Sequence, residues 1–151
     1  MFLFYLVAGS VIFLDRITKY AALRYVSKQA LHLFPGASLN LVFNTGVSFG
    51  FFSSSGANSH FMLTFLVAVI VALLIIVWRH CSSHTLQSTL GYGCIIGGAI
   101  SNFYDRLFFG SVIDFIDLYA GRWHFPTFNI ADVAISLGFL VLMWETLHAN
   151  E

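Results

Sequence analysis

The chain has 151 residues, of which 58% are hydrophobic and 9% are charged. A soluble domain carries about 25% charged residues, so this chain has too little charge to coat a water-facing surface and reads as an integral membrane protein. The formal net charge is zero and no basic run occurs, which excludes an electrostatic nucleic-acid binder.

A helix crossing about 30 Å of hydrocarbon needs about 20 mostly apolar residues. The first such run covers residues 2–25, apolar to Leu14 and polar from Asp15 onward. It has no basic n-region and no small-residue cleavage site, so it reads as a retained transmembrane helix and not a signal peptide. Asp15 and Lys19 are four apart and share a helix face, either as a local ion pair or as part of a site. Residues 31–52 follow with the Pro35-Gly36 turn and an alternating, aromatic-rich stretch, SLNLVFNTGVSFGFF. This predicts a small β element lying at the membrane surface, because a strand exposed to lipid would leave its backbone groups unsatisfied. Within it, Asn44-Thr45-Gly46 is by itself an Asn-Gly-type turn.

Residues 61–78 and 86–104 form the second and third spans, both free of charge. The third has Gly93 and Gly97, then Gly98 and Asn102, each pair four apart, a spacing that lets helices approach closely. Asn102, Asp105 and Arg106 share a face, which fits either helix packing with a terminal salt bridge or the wall of a site. A loop over 107–129 follows, with Tyr119 and Trp123 suited to a membrane interface. The fourth span is 130–147. Asn129 suits its N-cap, but capping does not account for Asp132 one turn further in. The expected architecture is a single membrane domain over residues 1–151, mainly α. It has four transmembrane helices and a small β element at one membrane surface. Four spans put both termini on one side. Counting Lys and Arg by the positive-inside rule would place the first and third loops in the cytoplasm.

Asp114 and Asp132 each sit beside an apolar span, where an ionised carboxylate costs a few kcal/mol and calls for a partner or a function. If folding brings them together they cannot both ionise easily, and the pair holds one shared proton. That is the working state of an aspartic protease dyad. His80 and His84 are four apart, but the ligand set around them is incomplete, so they read as a solvated loop and no metal or cofactor is expected. Cys81 and Cys94 fall on opposite sides of the membrane, so no disulfide is expected. No Ser-His-Asp pattern, G-x-S-x-G elbow or phosphate-cradling loop occurs. The competing reading is a small proton-coupled transporter or channel in which Asp15, Asp114 and Asp132 form a proton path. It would favour internal repeats, and none is visible. A purely structural membrane subunit would not need Asp132.

Five blocks then resemble, in order, those of the bacterial lipoprotein signal peptidases, the type II signal peptidases, which are aspartic intramembrane proteases. They are Asp15-Arg-Ile-Thr-Lys19, Asn44-Thr-Gly-Val-Ser-Phe49, Gly97-Gly-Ala-Ile-Ser-Asn102 with Asp105-Arg106, Val112-Ile-Asp114-Phe-Ile, and Phe128-Asn129-Ile-Ala-Asp132. The resemblance implies that Asp114 and Asp132 are the catalytic pair. It implies Asp15, Lys19, Asn44, Gly46, Asn102, Arg106 and Asn129 as supporting or substrate-binding residues. It also implies a prolipoprotein substrate carrying a diacylglyceryl group on a cysteine, cleaved just before that cysteine, with no cofactor. The chain would sit as a monomer among the lipids of the bacterial inner membrane. Both termini would be cytoplasmic, and the β element and active site would be near the periplasmic surface. That orientation opposes the charge count and is preferred here, since Lys19 and Arg106 are taken up by the site. Phe43, Phe49 and Phe51 are expected to cover the site or meet lipid chains. Asp117 fits no block and reads as solvated.

Overall fold

The computed structural model describes residues 1–26, 30–46, 57–80 and 84–148. The later part of the predicted β segment, with Ser48, Phe49 and Phe51, lies outside them, as do Lys28 and Cys81. Among the described residues four helices dominate: α1 (Phe2–Tyr25), α2 (Ala57–His80), α3 (Leu86–Phe109) and α4 (Ile130–His148). Four strands accompany them: β1 (Leu31–Phe34), β2 (Ala37–Asn44), β3 (Val112–Ala120) and β4 (Trp123–His124).

The bounds of α1 and α4 fall close to residues 2–25 and 130–147. α3 continues past residue 104 and keeps Asp105 and Arg106 helical. It opens on Thr85, whose Oγ1 accepts the Ser88 N–H at 3.0 Å. It stops at Gly110, which takes the left-handed φ of 73° and donates its N–H to Arg106 O, an ending that glycine adopts without strain. α2 and α4 are long and apolar enough to cross a membrane, over Phe61–His80 and Ile130–His148. α1 and α3 have comparable length but mix polar residues into the run.

α3 is the central helix and packs on the other three. Its glycines make this possible. A Cβ at Gly97 would lie 2.8 Å from the Ala8 carbonyl of α1, and one at Gly98 would lie 2.5 Å from the Ala131 carbonyl of α4. Neither backbone could stay where it is beside a methyl group. At the N-terminal end of α1, Phe4 stacks on Trp78 at 3.7 Å and both pack with Ile96. At the other end, Ala22, Val26 and Phe115 pack beneath the sheet.

The strands form one antiparallel sheet in the order β1-β2-β3-β4, with Val42 opposite Asp114 and Asn44 opposite Val112. The β element is thus larger than expected, because the predicted loop over 107–129 contains β3 and β4. From Val112 to Phe115 every residue of β3 is buried, so the polar–apolar alternation that marks a half-exposed strand is missing. After β4 the chain returns along β3. The N–H groups of Phe115 and Ile116 donate to Phe128 O, and the Phe128 N–H donates to Ile116 O. This return delivers Asn129 and the start of α4 beside Asp114.

Candidate active site

Asn129 joins two elements. Its Oδ1 accepts the Asp132 N–H at 3.0 Å, and its own N–H donates to Asp132 Oδ2 at 3.2 Å. This is a reciprocal cap on α4. Its Nδ2 donates to Asp114 Oδ1 at 2.7 Å and to Asn102 Oδ1 at 3.1 Å. One amide therefore caps the helix that carries one acid and holds the other acid directly. Asn102 Nδ2 donates to Asp132 Oδ1 at 2.8 Å, and Asn44 Nδ2 donates to Asp114 Oδ2 at 3.0 Å. Asn44 Oδ1 in turn accepts the Gly46 N–H at 2.9 Å, closing the turn in which Gly46 takes a φ of 79°.

Asp114 and Asp132 line one cavity of about 290 Å³, together with Asn44, Asn102 and Arg106. The rest of its wall is apolar and includes Val67, Ile70 and Leu74 of α2 and Ile135 of α4. Gly46 lies against Arg106, where a Cβ would come within 3.2 Å of the guanidinium Nη1. Burial pushes the Asp114 carboxyl up to about 6, and the nearby Asp132 charge adds to the rise; the hydrogen bonds from Asn44 and Asn129 and the Lys19 charge hold it back. Among the described residues no group of three or more His, Cys, Asp or Glu is placed to hold a metal ion.

Behind the cavity lies a buried charge cluster. Lys19 Nζ is 2.7 Å from Asp15 Oδ2 and 2.7 Å from Asp105 Oδ2, and donates to Asn102 Oδ1 at 2.8 Å. Arg16 Nη2 is 2.6 Å from Asp105 Oδ1, and its guanidinium lies over the Tyr104 ring. Asp15 also accepts the Ser101 hydroxyl at 2.6 Å and the Ala131 N–H at 2.9 Å. Two cations and two carboxylates balance, as buried charges require. Asp15 and Lys19 are thus more than a local pair, because they tie α1 to α3 and to the start of α4.

All nine residues singled out from the sequence meet here: Asp15, Lys19, Asn44, Gly46, Asn102, Arg106, Asp114, Asn129 and Asp132. Sequence reasoning did not weigh Arg16 or Ser101, and placed Asp105 on one face with Asn102 and Arg106, as a salt-bridge partner or part of a site wall, without finding its contacts. Only the helical spacing from Asn102 to Arg106 hinted at the Asp105 contacts. The reading of Asp117 as solvated is corrected. It is buried, accepts the Ser38 hydroxyl at 3.0 Å, and lies 2.9 Å from His124 Nδ1. Ser38 faces it across β2 and β3, a pairing that a loop over 107–129 would not make.

The family model for signal peptidase (SPase) II matches residues 7–148. The lipoprotein signal peptidase of Wigglesworthia glossinidia brevipalpis is 38% identical over 93% of this chain and 91% of its own length. That of Burkholderia mallei is 37% identical over 91% of this chain and 82% of its own. Two solved structures, each described as a bacterial membrane enzyme, share the fold. One has a TM-score of 0.85 and 25% identity, over 96% of this chain and 92% of that one. The other has a TM-score of 0.82 and 24% identity, over 98% and 89%. A match over nearly the whole chain, joined to a cavity walled by two carboxylates, makes this chain a member of the signal peptidase II family of lipoprotein-processing peptidases.

Proposed function

We propose that the protein is an aspartic endopeptidase acting on diacylglyceryl-modified prolipoproteins, and that it cuts just before the lipid-bearing cysteine. The observation that carries this reading is the convergence of Asp114 and Asp132 on one cavity, each held by two amide donors. A water between them would lose a proton to the ionised carboxylate as its oxygen attacks the scissile carbonyl. The protonated carboxyl would donate to the developing oxyanion. Collapse of the tetrahedral species breaks the C–N bond, and the leaving amine takes up a proton from the pair. Asp132 suits the ionised role, because it lies in the first turn of α4, where the helix dipole favours negative charge. Asp114 suits the protonated role, since burial holds its proton up to about pH 6. Arg106 would bind a backbone carbonyl of the substrate, and the apolar wall would take its hydrophobic parts.

In this reading all four helices span the bacterial inner membrane as one domain and a monomer. Both termini are cytoplasmic, and the sheet rests at the periplasmic surface among lipids. Asp15 and Lys19 of α1 face Ser101, Asn102 and Asp105 of α3 across the packed interface and away from hydrocarbon, which supports spans for those two helices as well.

The test is cleavage of a diacylglyceryl-modified prolipoprotein by the purified chain in detergent, compared with Asp114→Asn and Asp132→Asn, both checked for folding. Wild-type cleavage before the modified cysteine with two inactive variants supports the pair. Near-normal activity in either variant removes that aspartate from the chemistry. An inert wild type whose aspartates carry proton flux would replace the peptidase with a transporter.

A further inference from the structure

Asp105 has no hydrogen bond to Asp114 or Asp132, yet both lead back to it. The first route is short. The Ile113 N–H donates to Asp105 Oδ2 at 3.2 Å, and Ile113 immediately precedes Asp114. The Ile113 carbonyl is held in turn by Asn129 Nδ2 at 3.3 Å. The end of α3 thus grips β3 one residue before the acid. The second route passes through Lys19. Its Nζ lies 2.7 Å from the same Asp105 oxygen and occupies Asn102 Oδ1 at 2.8 Å. With its oxygen facing an ammonium, Asn102 must present Nδ2 to Asp132, and it does so at 2.8 Å. The other Asp105 oxygen lies 2.6 Å from Arg16 Nη2 as an ion pair without hydrogen-bond geometry. Asp105 is fully buried.

We infer that Asp105 is a positioning residue for the aspartate pair. One carboxylate, gripped from α1, sets both the height of Asp114 on β3 and the amide orientation that holds Asp132. This rests on Asp114 and Asp132 being the catalytic pair. A merely structural ion pair would stabilise the bundle and leave the chemistry of each folded molecule unchanged, so the two roles separate in kinetics.

The experiment uses the whole chain in detergent with a diacylglyceryl-modified prolipoprotein. The folded fraction is measured by circular dichroism and gel filtration, and kcat and KM are followed from acid to neutral pH. Asp105→Ala is expected to lower kcat per folded molecule by about 10- to 100-fold, the size of an ångström-scale misplacement, with KM little changed. The acidic limb of its kcat profile should move, because the apparent pKa values belong to the pair and follow its geometry. The titratable groups nearby are Asp15, Arg16 and Lys19 on α1, Arg106 on α3, Asp114 on β3 and Asp132 on α4. Asp105→Asn keeps an acceptor for Ile113 and Lys19, and should recover most of kcat and the wild-type limb.

The inference is overturned if the Asp105→Ala loss tracks only the folded amount, if it falls on KM, or if Asp105→Asn is no better. Should Asp105→Ala fail to fold, Arg16→Gln loosens the same carboxylate from its half-exposed side. It should show a smaller kcat loss and a displaced limb, and an unchanged profile would overturn the inference. Asp114→Asn runs alongside. Cleavage by that variant sinks the pair itself, whereas an inert Asp114→Asn beside an unaltered Asp105→Ala sinks only the positioning role.

Discussion

Asp114 shows how one side chain can set function against stability. Its carboxyl is held up to about 6 by burial, well above the ordinary value of 3.8. The folded state therefore binds this proton more tightly than the unfolded chain does. Below about pH 4 both states are protonated and the group contributes nothing to pH dependence. As pH rises from there through 6, the unfolded chain gives up the proton first, and the folded state loses stability relative to it. A shift of this size is worth about 3 kcal/mol at neutral pH. Asp114→Asn removes the titration and keeps much of the shape. The variant expected to abolish cleavage should therefore unfold at a higher temperature than wild type at pH 7.5 in detergent, and the two should converge near pH 4. A variant less stable than wild type at pH 7.5 would show that the Asn44 and Asn129 hydrogen bonds outweigh burial at this site. In the proposed mechanism, such a cost at Asp114 is a familiar trade of stability for activity.

At the scale of elements, the site exists because α3 lets two neighbours come close. Gly98 faces the Ala131 carbonyl across the α3–α4 contact, one turn before Asn102 and next to Asp132. Gly98→Ala would force the helices apart where Asn102 reaches Asp132, at a cost of about 1–3 kcal/mol for overpacking. Gly9 on α1 has nothing within 4 Å of its Cβ position. Gly9→Ala should be neutral or stabilising by up to about 1 kcal/mol, as expected for glycine inside a helix. The prediction is a large loss of both melting temperature and kcat for Gly98→Ala and neither loss for Gly9→Ala. Equal behaviour of the two would remove close helix approach from the account. The helices were legible because hydrophobic run length is a local signal, and Gly98 with Asn102 was legible as a spacing. β3 was not, since its first four residues, Val112 to Phe115, are all buried and lack the alternation that marks a half-exposed strand. Losing β3 also hid the partners of Asp117, which lie on β2 and β4. The polar site residues were found as types in blocks, but their bonding was not. Which acceptor Lys19 chooses depends on how α1 and α3 meet, and no spacing within either helix records that.

For the whole molecule, the question is which way the polar end faces. The positive-inside count assumes that each Lys and Arg near a span end is free to act on orientation. Here Arg16 and Lys19 are spent on Asp15 and Asp105, and Arg106 lines the cavity. A cation neutralised inside the bundle contributes little net charge to its loop, which takes Arg106 out of the count, but Arg24, Lys28 and Arg122 against Arg79 still favour a cytoplasmic sheet and oppose the orientation proposed above. That orientation, with the sheet outside and the termini inside, makes a direct prediction. In a background of Cys81→Ala and Cys94→Ala, single cysteines would be placed at Arg122, in the β3–β4 turn, and at His148, at the end of α4. Both positions are exposed and in that orientation would lie at opposite ends of one helix crossing. A membrane-impermeant maleimide should label Arg122→Cys in intact cells, and should label His148→Cys only once the inner membrane is opened. The reverse pattern would invert the molecule and put the cavity on the cytoplasmic side, where a substrate still awaiting export would have to be cut. Labelling of both from one side would mean that α4 does not cross, and the four-span arrangement would fall with it.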